Sequence, residues 1–336
     1  MDIKKTLDTL NSGFGPSGRE DDVREIIKEL SAPYGFEQRT DTMGNLIVHR
    51  PGSGKRIMFA AHMDSCGFIA SFIEKNGYIR FNPMGGIAPW NMASERVRFR
   101  NGTWGIVYMD AFDYDNIPPY KGLDCSRFYI DIGTASDEET LALVRPGDVA
   151  VYDTPSFSFG NGMLASPYLD NRIGCVELLM MMEQLGHTEN DIYFVFTVQE
   201  EVGCRGAQTA AYEIQPDIGI AVDVTVTDDV PNAMHYGSSY LGKGGAVLIM
   251  DDYVIAHPEI SDLLVKIAEE NGIPTQRDIL IGGGCDAETI HLSRSGVPCS
   301  GICLPIRYCH SAQEMCALAD VEASVKLLVK FAEHCF

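Results

Sequence analysis

Positive charge is scarce in this 336-residue chain, which carries 26 Lys and Arg residues against 47 Asp and Glu residues, a formal net charge of −21. Nucleic acids and anionic membrane surfaces are polyanions, so this balance argues against both as partners. Long apolar runs are also missing: no stretch could span a bilayer, and no basic segment followed by an apolar run opens the sequence. We therefore expect a cytoplasmic protein without a membrane or nucleic-acid partner.

Cysteine is not scarce, but a pattern that would pair its residues is absent. The ten cysteines occur without a secretory signal, which favours reduced thiols over a disulfide framework. The spacing of Cys299, Cys303 and Cys309 does not match a zinc knuckle, and buried free thiols are the better interpretation. A hydrophobic fraction of 45% and a charged fraction of 22% are typical of a globular protein, here with one large domain and a smaller companion.

Strand and helix signals alternate in the first and last parts of the chain. Short apolar segments rich in β-branched and aromatic residues predict buried strands, and segments with helically spaced apolar residues predict helices between them. Ser17 and Glu20, three residues apart, predict a capping box at an early helix. The alternation predicts an α/β fold, in which helices cover both faces of a mixed, largely parallel sheet. The predicted central strands cover residues 56–61, 192–198, 218–222 and 299–306.

Between residues 67 and 160 the helical spacing disappears and turn signals recur. Asn76-Gly77 and Asn101-Gly102 each join two short strand-like segments, which is the pattern of a β-hairpin. We predict a small all-β module over residues 67–160, inserted into an α/β domain built from residues 1–66 and 161–336. Its hairpin edges and aromatic side chains would need cover from a partner subunit.

The strongest functional signal is the pair Glu200-Glu201, which directly follows the apolar strand at 192–198. Two unpaired carboxylates at such a position are costly to desolvate, so a bound cation is expected. Adjacent side chains point in different directions, which allows one to bind a metal while the other faces the substrate as a base. Other His and acidic side chains fall at the ends of the neighbouring predicted elements, namely His62, Asp170, Asp223 and His310.

Ligands of open α/β sheets bind at the carboxyl ends of the strands, so these side chains are predicted to meet there. Two histidines and three carboxylates exceed the four ligands of one tetrahedral zinc ion. They suit two divalent ions about 3.5–4 Å apart that share one bridging carboxylate, as in two-metal hydrolases. Taken singly, His62 could be a hydrogen-bonded core histidine, Asp170 an acid at a helix N-terminus and Asp223 a turn cap. Their coincidence favours the metal site.

The motifs that contain these residues resemble those of the glutamyl-aminopeptidase family of di-zinc peptidases, which includes the tetrahedral (TET) aminopeptidases and is also called the endoglucanase M family. The resemblance runs nearly end to end, and it is specific because the motifs occur jointly. They are Gly15-Pro-Ser-Gly18, Asp41-Thr-Met-Gly-Asn-Leu46, Ala61-His-Met-Asp64, Leu169-Asp-Asn-Arg-Ile-Gly174, Gln199-Glu-Glu-Val-Gly203, Gly284-Cys-Asp-Ala287 and Pro305-Ile-Arg-Tyr-Cys-His-Ser311.

The resemblance implies a di-zinc peptidase fold and an aminopeptidase with two divalent metal ions per subunit. Zinc is the default for a shell of His and carboxylate ligands, and cobalt or manganese are alternatives. Asp170 would bridge the two ions. Glu201 and His310 would complete the shell of one ion, and His62 and Asp223 that of the other.

The same resemblance implies roles outside the metal shell. Glu200 would be the general base and acid, and Asp64 would orient the imidazole of His62. Peptides would be the substrates and would lose their N-terminal residue. The inserted module would be a PDZ-like dimerisation domain through which subunits build dimers and a hollow tetrahedral dodecamer. Since none of the implied ligands lies in the insert, we expect it to serve assembly and not chemistry.

Two positions depart from the family pattern. Ser65-Cys66 stands where Glu-Val or Glu-Ile is usual, and Cys285 stands where Thr is common; neither position is an implied ligand. Two other functions stay open, a carboxypeptidase or amide deacylase on the same di-zinc scaffold, and a catalytically silent, metal-stabilised cage protein. Glycoside hydrolysis is disfavoured, because it normally uses two carboxylates that flank the bond without a pair of metal ions.

Overall fold

The computed structural model describes residues 1–110, 123–234 and 236–336 of the chain. Its helices are α1 Ile3–Ser12, α2 Asp21–Ser31, α3 Asp137–Leu141, α4 Leu169–Gln184, α5 Arg205–Ile214, α6 Pro258–Glu270, α7 Ala287–Ile290 and α8 Leu318–Ala332. Its strands are β1 Glu37–Thr40, β2 Leu46–Arg50, β3 Arg56–His62, β4 Gly67–Ile73, β5 Ile79–Met84, β6 Arg96–Phe99, β7 Trp104–Met109, β8 Phe128–Asp131, β9 Val149–Tyr152, β10 Phe157–Phe159, β11 Met163–Ser166, β12 Asp191–Thr197, β13 Ile218–Val226, β14 Gly245–Met250, β15 Thr275–Ile279, β16 Cys299–Ile306 and β17 Glu314–Ala317.

The large sheet contains eight of the described strands, in the order β1–β2–β12–β3–β13–β16–β14–β15. The four central strands β12, β3, β13 and β16 are parallel to one another. Antiparallel pairs flank them on both sides, β1 with β2, β2 with β12, and β14 with β16. The mixed sheet with a parallel centre confirms the α/β prediction.

Helices cover both faces of this sheet because successive side chains of each central strand point to opposite sides. Phe59 and Phe194 pack in one apolar core with residues of α4 and α8. Met58 and Val195, one position away on the same strands, pack in a second core with residues of α5 and α7. Both surfaces of the central strands are therefore buried, which explains their nearly continuous apolar sequence.

Strands β4 to β9 close into a six-stranded antiparallel barrel in the order β4–β5–β8–β7–β6–β9, with an apolar core of its own. The small all-β module is thus confirmed, whereas its PDZ-like character stays a prediction; residues 111–122 lie outside the described part. Free hairpin edges were expected, and for the described strands that expectation is wrong, since β9 pairs with β4 and closes the barrel. Closure satisfies the backbone groups that an open sheet would expose.

Several strands differ from the sequence prediction. Strand β13 continues to Val226, so Asp223 lies inside it and not at its end. The strands β10, β11, β15 and β17 are not predicted at all. Three of them have only three or four residues and form a small separate sheet in the order β10–β11–β17. Such short strands carry too few alternating positions to be recognised in a sequence.

All ten cysteines are unpaired, as the sequence predicts, and seven of them are buried. Among the described residues, no helix is both long enough and apolar enough to cross a membrane.

Candidate metal centre

The carboxylate of Asp170 lies between two imidazoles at the centre of the site. Its Oδ1 is 3.0 Å from His62 Nε2, and its Oδ2 is 3.1 Å from His310 Nε2. One carboxylate therefore has an oxygen directed to each of two histidines. This is the arrangement that a bridging ligand between two metal ions requires.

The other predicted side chains divide between the two histidines. Glu201 Oε2 lies 3.3 Å from His310 Nε2, and Asp223 Oδ1 lies 3.7 Å from His62 Nε2. Glu200 Oε2 is also 3.7 Å from His62 Nε2. The structure thus brings all five predicted ligands and the predicted base together.

The strand ends explain this convergence. Strand β3 ends at His62, and its partner β12 ends at Thr197, three residues before Glu200. Strand β13 pairs with β3 only as far as Ala221 but continues alongside β16 to Val226. Asp223 therefore lies beyond the point where β3 and β13 separate. Although it is inside a strand, it borders the opening at the carboxyl edge of β3.

The first turn of α4 supplies the central carboxylate, that of Asp170. Asp170 and Asn171 have non-helical backbone angles although they lie within the helix bounds. The Asn171 side chain donates a hydrogen bond to the Val222 carbonyl at 2.8 Å, next to Asp223. This bond fixes the start of α4 against β13 and so sets the position of Asp170 relative to Asp223.

Asp64 supports the site chiefly through the backbone of the Glu200-Glu201 pair. Its Oδ1 accepts from the Glu200 N–H at 3.0 Å and its Oδ2 from the Glu201 N–H at 3.3 Å. The nearer Asp64 acceptor for His62 Nδ1 is its backbone carbonyl at 3.0 Å, with the carboxylate at 3.5 Å. Asp64 is therefore a positioning residue that holds the two glutamates as well as the histidine.

Ser17 and Glu20 also belong to this support, and the predicted capping box is wrong. Helix α2 begins at Asp21 without a side-chain cap. Ser17 Oγ instead donates to Asp64 Oδ2 at 2.7 Å, and Glu20 Oε1 accepts from the N–H groups of Gly18 and Gln199. Side chains spaced like a capping box are used here to hold the turn that precedes Glu200.

Two buried acids that hold the segments around the site are not identified from the sequence. Glu314 accepts from the backbone N–H of Asp170 at 2.9 Å and of His310 at 2.7 Å, so one carboxylate holds both segments. Asp286 accepts from the Thr197 hydroxyl at 2.5 Å. Asp286 lies within a motif of the resemblance and could have been singled out. Glu314 starts a four-residue strand, and nothing in its surrounding sequence indicates its role.

A cavity of about 1040 Å³ opens onto the cluster. Its floor contains the predicted ligands and Glu200, and much of its wall is apolar or aromatic, including Val226, Tyr236, Tyr253, Leu280 and Ile281. The inserted module contributes Gly86, Ala88, Trp90 and Asn91 to this wall. The loop after β5 therefore shapes the cavity, and the expectation that the insert serves assembly and not chemistry stays a prediction.

Burial and mutual repulsion favour protonated acids when no cation is present. Burial raises the pKa of Glu201 to about 7, an effect that His310 opposes. Burial likewise raises the pKa of Glu200 and of Asp223 well above their ordinary values, although His62 lowers both. Burial alone would raise the pKa of Asp170 as well, but hydrogen bonds from His310 and His62 outweigh it and hold that pKa below its usual value. A cation would have to compete with protons for Glu201 and Asp223, the two predicted ligands among these three acids.

The residues present fit divalent metal ions. Ligand atoms of His62, Glu200 and Asp223 lie within 4.8 Å of one another, and the same holds for two groups around His310, one with Cys66 and Glu201 and one with Asp170 and Cys309. Glu201 Oε1 is buried without a hydrogen-bond partner among the described residues, which is costly unless a cation neutralises it. The cluster lies at the carboxyl ends of the central strands of an α/β sheet. This fold and this site are typical of metal-dependent hydrolases.

Comparison with known proteins gives the family. The sequence profile of the M42 glutamyl aminopeptidase family matches residues 44–327, and the chain belongs to this family of peptide hydrolases. It is 33% identical to the lysyl aminopeptidase of Pyrococcus furiosus, over 99% of this chain and 96% of that protein. The peptide-hydrolase prediction and the family resemblance are thereby confirmed.

Solved structures agree with the family assignment. An aminopeptidase from the archaeon Desulfurococcus kamchatkensis superposes with a TM-score of 0.93 at 36% identity, covering 98% of this chain and 94% of that one. The TET1 peptidase of Pyrococcus horikoshii, which can assemble into a tetrahedron or a large octahedral shell, gives a TM-score of 0.88 at 30% identity. That match covers 98% of this chain and 99% of the TET1 chain.

Proposed function

We propose that this protein is a metal-dependent aminopeptidase that removes the N-terminal residue of peptides. The observation that carries the proposal is the Asp170 carboxylate, with one oxygen at each of two histidines. Two divalent ions, zinc by default and cobalt or manganese as alternatives, would be held by Glu201, His310 and Asp170 on one side and by His62, Asp223 and Asp170 on the other. When bound, such ions would polarise the scissile carbonyl and lower the pKa of an attacking water.

The chain's own groups handle the proton. Glu200 lines the cavity but, beside Glu201, is not needed to complete the proposed metal shells. Its carboxylate takes the proton of the attacking water and passes it to the leaving amine, as a general base and then a general acid. Burial, which raises the pKa of Glu200, brings its proton affinity closer to what such a shuttle needs near neutral pH. Asp64 keeps Glu200 in place through its backbone N–H.

The cavity favours an amine over a carboxylate as the terminal group of the substrate. Its lining among the described residues includes Glu288 in addition to the acidic cluster but no Lys or Arg side chain. A carboxypeptidase must hold a terminal carboxylate. The described lining has no Lys or Arg side chain for it, so a bound metal ion would be its one cationic partner. An α-ammonium group, by contrast, can pair with Glu288 or Glu200, the two carboxylates of the lining that the proposed metal shells do not use. This observation favours the aminopeptidase over the carboxypeptidase.

The free α-amine is therefore expected to be essential. A short peptide should be cleaved at its first bond, its C-terminally amidated form should be cleaved at a similar rate, and its N-acetylated form should not be cleaved measurably. Mass spectrometry of the products separates the three results. Brisk cleavage of the acetylated peptide would refute the aminopeptidase and favour a deacylase or endopeptidase.

The same lining predicts discrimination at the first residue of the substrate. Apolar, aromatic or basic N-terminal residues fit a wall that contains Tyr253, Leu280 and Glu288, whereas an acidic side chain would face Glu288 without a Lys or Arg partner in the described lining. Like-charge contacts cost on the order of several kcal/mol, so we expect kcat/KM for N-terminal Leu or Lys to exceed that for Glu by about tenfold or more. Matched aminoacyl chromogenic substrates measure the ratio. A higher kcat/KM for Glu would contradict this assignment of the cavity wall.

We further propose that residues 67–160 form the dimerisation module of a larger assembly. The assembly of the TET1 peptidase into a tetrahedron or a large octahedral shell supports this proposal. The supporting feature is strand β7, whose outward side chains Trp104, Ile106 and Tyr108 are 56%, 55% and 45% exposed. Gly105 and Val107 between them face the barrel interior. An exposed apolar row on one strand is typical of an interface that a partner subunit covers.

Acidic substitutions on this row are expected to break the assembly. Trp104→Glu combined with Ile106→Glu places two charges on the apolar surface of a chain that already carries −21, so light scattering should show a smaller particle than for the wild type. Tyr212→Glu, at an exposed aromatic residue of α5, is the control and should leave the particle size unchanged. A monomeric wild-type protein, or an unchanged particle in the double variant, would contradict the proposal.

A further inference from the structure

A thiol lies inside the candidate metal centre at the junction between sheet and barrel. Cys66 is 5% exposed, and its Sγ donates to Glu201 Oε2 at 3.0 Å. Ligand atoms of Cys66, Glu201 and His310 all lie within 4.8 Å of one another. Three different ligand types, a thiol, a carboxylate and an imidazole, thus converge on one point.

One oxygen of Glu201 is available to bind a cation in this group. Its side chain is 3% exposed, and Oε2 contacts both the Cys66 thiol and His310 Nε2. Its other oxygen, Oε1, is buried without a hydrogen-bond partner in the described part of the chain. A buried carboxylate oxygen without a donor is a strong acceptor site for a metal ion.

The loop after β5 encloses the same three side chains. Gly85 has a φ of +84°, and a Cβ atom at this position would lie 2.5 Å from Cys66 Sγ and 2.6 Å from Glu201 Oε2. The carbonyl of Gly86 is 3.2 Å from His310 Nδ1, so it can accept the imidazole proton there. When a cation replaces the proton on Nε2, that bond would leave the Nε2 lone pair to the cation, between His310 and the oxygens of Glu201 and Asp170. Only a residue without a side chain permits this close approach at 85.

We propose that Cys66 Sγ is a further ligand of the divalent ion that Glu201 and His310 would hold. The inference rests on the proposed metal-dependent function and extends it by one ligand. On binding, the S–H bond breaks, a sulfur–metal bond forms and the proton leaves to solvent. A thiolate is a soft ligand, so it favours zinc over manganese at this position.

A second thiol nearby is a weaker candidate. Cys309 Sγ donates to Asp170 Oδ2 at 3.3 Å and also lies near His310. Both oxygens of Asp170, however, are already directed at imidazoles, whereas Glu201 keeps one oxygen without a donor. The Cys309→Val variant is therefore the matched control for Cys66→Val, since each removes one thiol from the same centre.

X-ray absorption at the zinc edge tests the ligand directly, with metal content measured by elemental analysis. Zinc-loaded wild type and Cys309→Val are expected to show a sulfur scatterer at about 2.3 Å, and Cys66→Val to show only nitrogen and oxygen neighbours at about 2.0–2.2 Å. In the cobalt-loaded proteins, the thiolate-to-cobalt band in the near ultraviolet should disappear only in Cys66→Val. We also expect Cys66→Val to weaken zinc binding by about tenfold or more and to leave manganese binding nearly unchanged.

The alternatives give distinct results. Zinc bound to the wild type without a sulfur neighbour would overturn the thiolate ligand but leave the metal-dependent function intact. Loss of the sulfur signal in Cys309→Val and not in Cys66→Val would also overturn it, in favour of the other thiol. A wild-type protein that binds no divalent metal would refute the proposed function together with this inference. If Cys66→Val does not fold, the sulfur neighbour in zinc-loaded Cys309→Val decides the question.

Discussion

Glu200→Gln is expected to lower kcat by about two to four orders of magnitude, the usual contribution of general acid–base catalysis. The amide keeps the size of the side chain and can still hydrogen-bond, but it cannot take a proton from the attacking water. Because Glu200 is not needed in the proposed metal shells, the bound metal should remain.

The neighbouring residue supplies the contrast that makes this result specific. Glu201 Oε2 lies 3.3 Å from His310 Nε2, so Glu201→Gln removes a proposed ligand and should lose metal together with activity. Glu259→Gln, on the exposed surface of α6, should change neither quantity. Kinetics and elemental analysis on the three variants measure both effects. Near-normal kcat in Glu200→Gln with metal still bound would remove Glu200 from the mechanism.

Asp170→Asn is expected to abolish turnover and to weaken binding of both ions at once. Asp170 is the side chain that reaches both histidines, and an amide offers only one uncharged oxygen to a cation. Loss of groups that merely support a metal ligand costs about 10–100-fold in affinity, so loss of a shared ligand should cost more than about 100-fold. Asn keeps the size of the side chain, but in the metal-free protein it gives up the carboxylate that faces both His62 and His310.

Thermal unfolding with and without metal distinguishes this loss from misfolding. For the wild type, free zinc at about 100 times its Kd should add about 2.7 kcal/mol to the free energy of unfolding for each site. Asp170→Asn should unfold near the temperature of the metal-free wild type and gain little from zinc. A variant that still shows the full metal-dependent stabilisation would exclude Asp170 as the shared ligand.

The central sheet and the cluster could be read from the sequence because both follow from short-range patterns. Apolar runs such as 192–198 define buried strands, and a polar residue directly after such a run must lie at a sheet edge. His62 and the Glu200-Glu201 pair were placed in this way. Asp223 was predicted to follow the end of its strand, and this reason is partly wrong because β13 continues past it. Asp223 borders the site because the neighbouring strand β3 ends nearby.

What the sequence did not reveal depends on contacts between distant segments. Glu314 holds the backbone of Asp170, 144 positions away, and a single sequence contains no sign of that pair. Closure of the barrel requires β9 to meet β4 across the whole insert, and a hairpin pattern leaves that pairing open. Ser17 and Glu20 match a local motif, but their side chains bond to partners near Glu200 that lie far away in the sequence.

Through the loop after β5, the insert would also influence which substrates the cavity accepts. In the sequence the insert is one continuous block, yet Trp90 and Asn91 belong to the wall that an entering substrate would meet. Exchange of this block between two relatives would therefore transfer part of the pocket along with the proposed subunit contacts. If the insert forms the proposed subunit contacts, one segment of the chain would determine both the shape of the particle and part of the substrate selectivity.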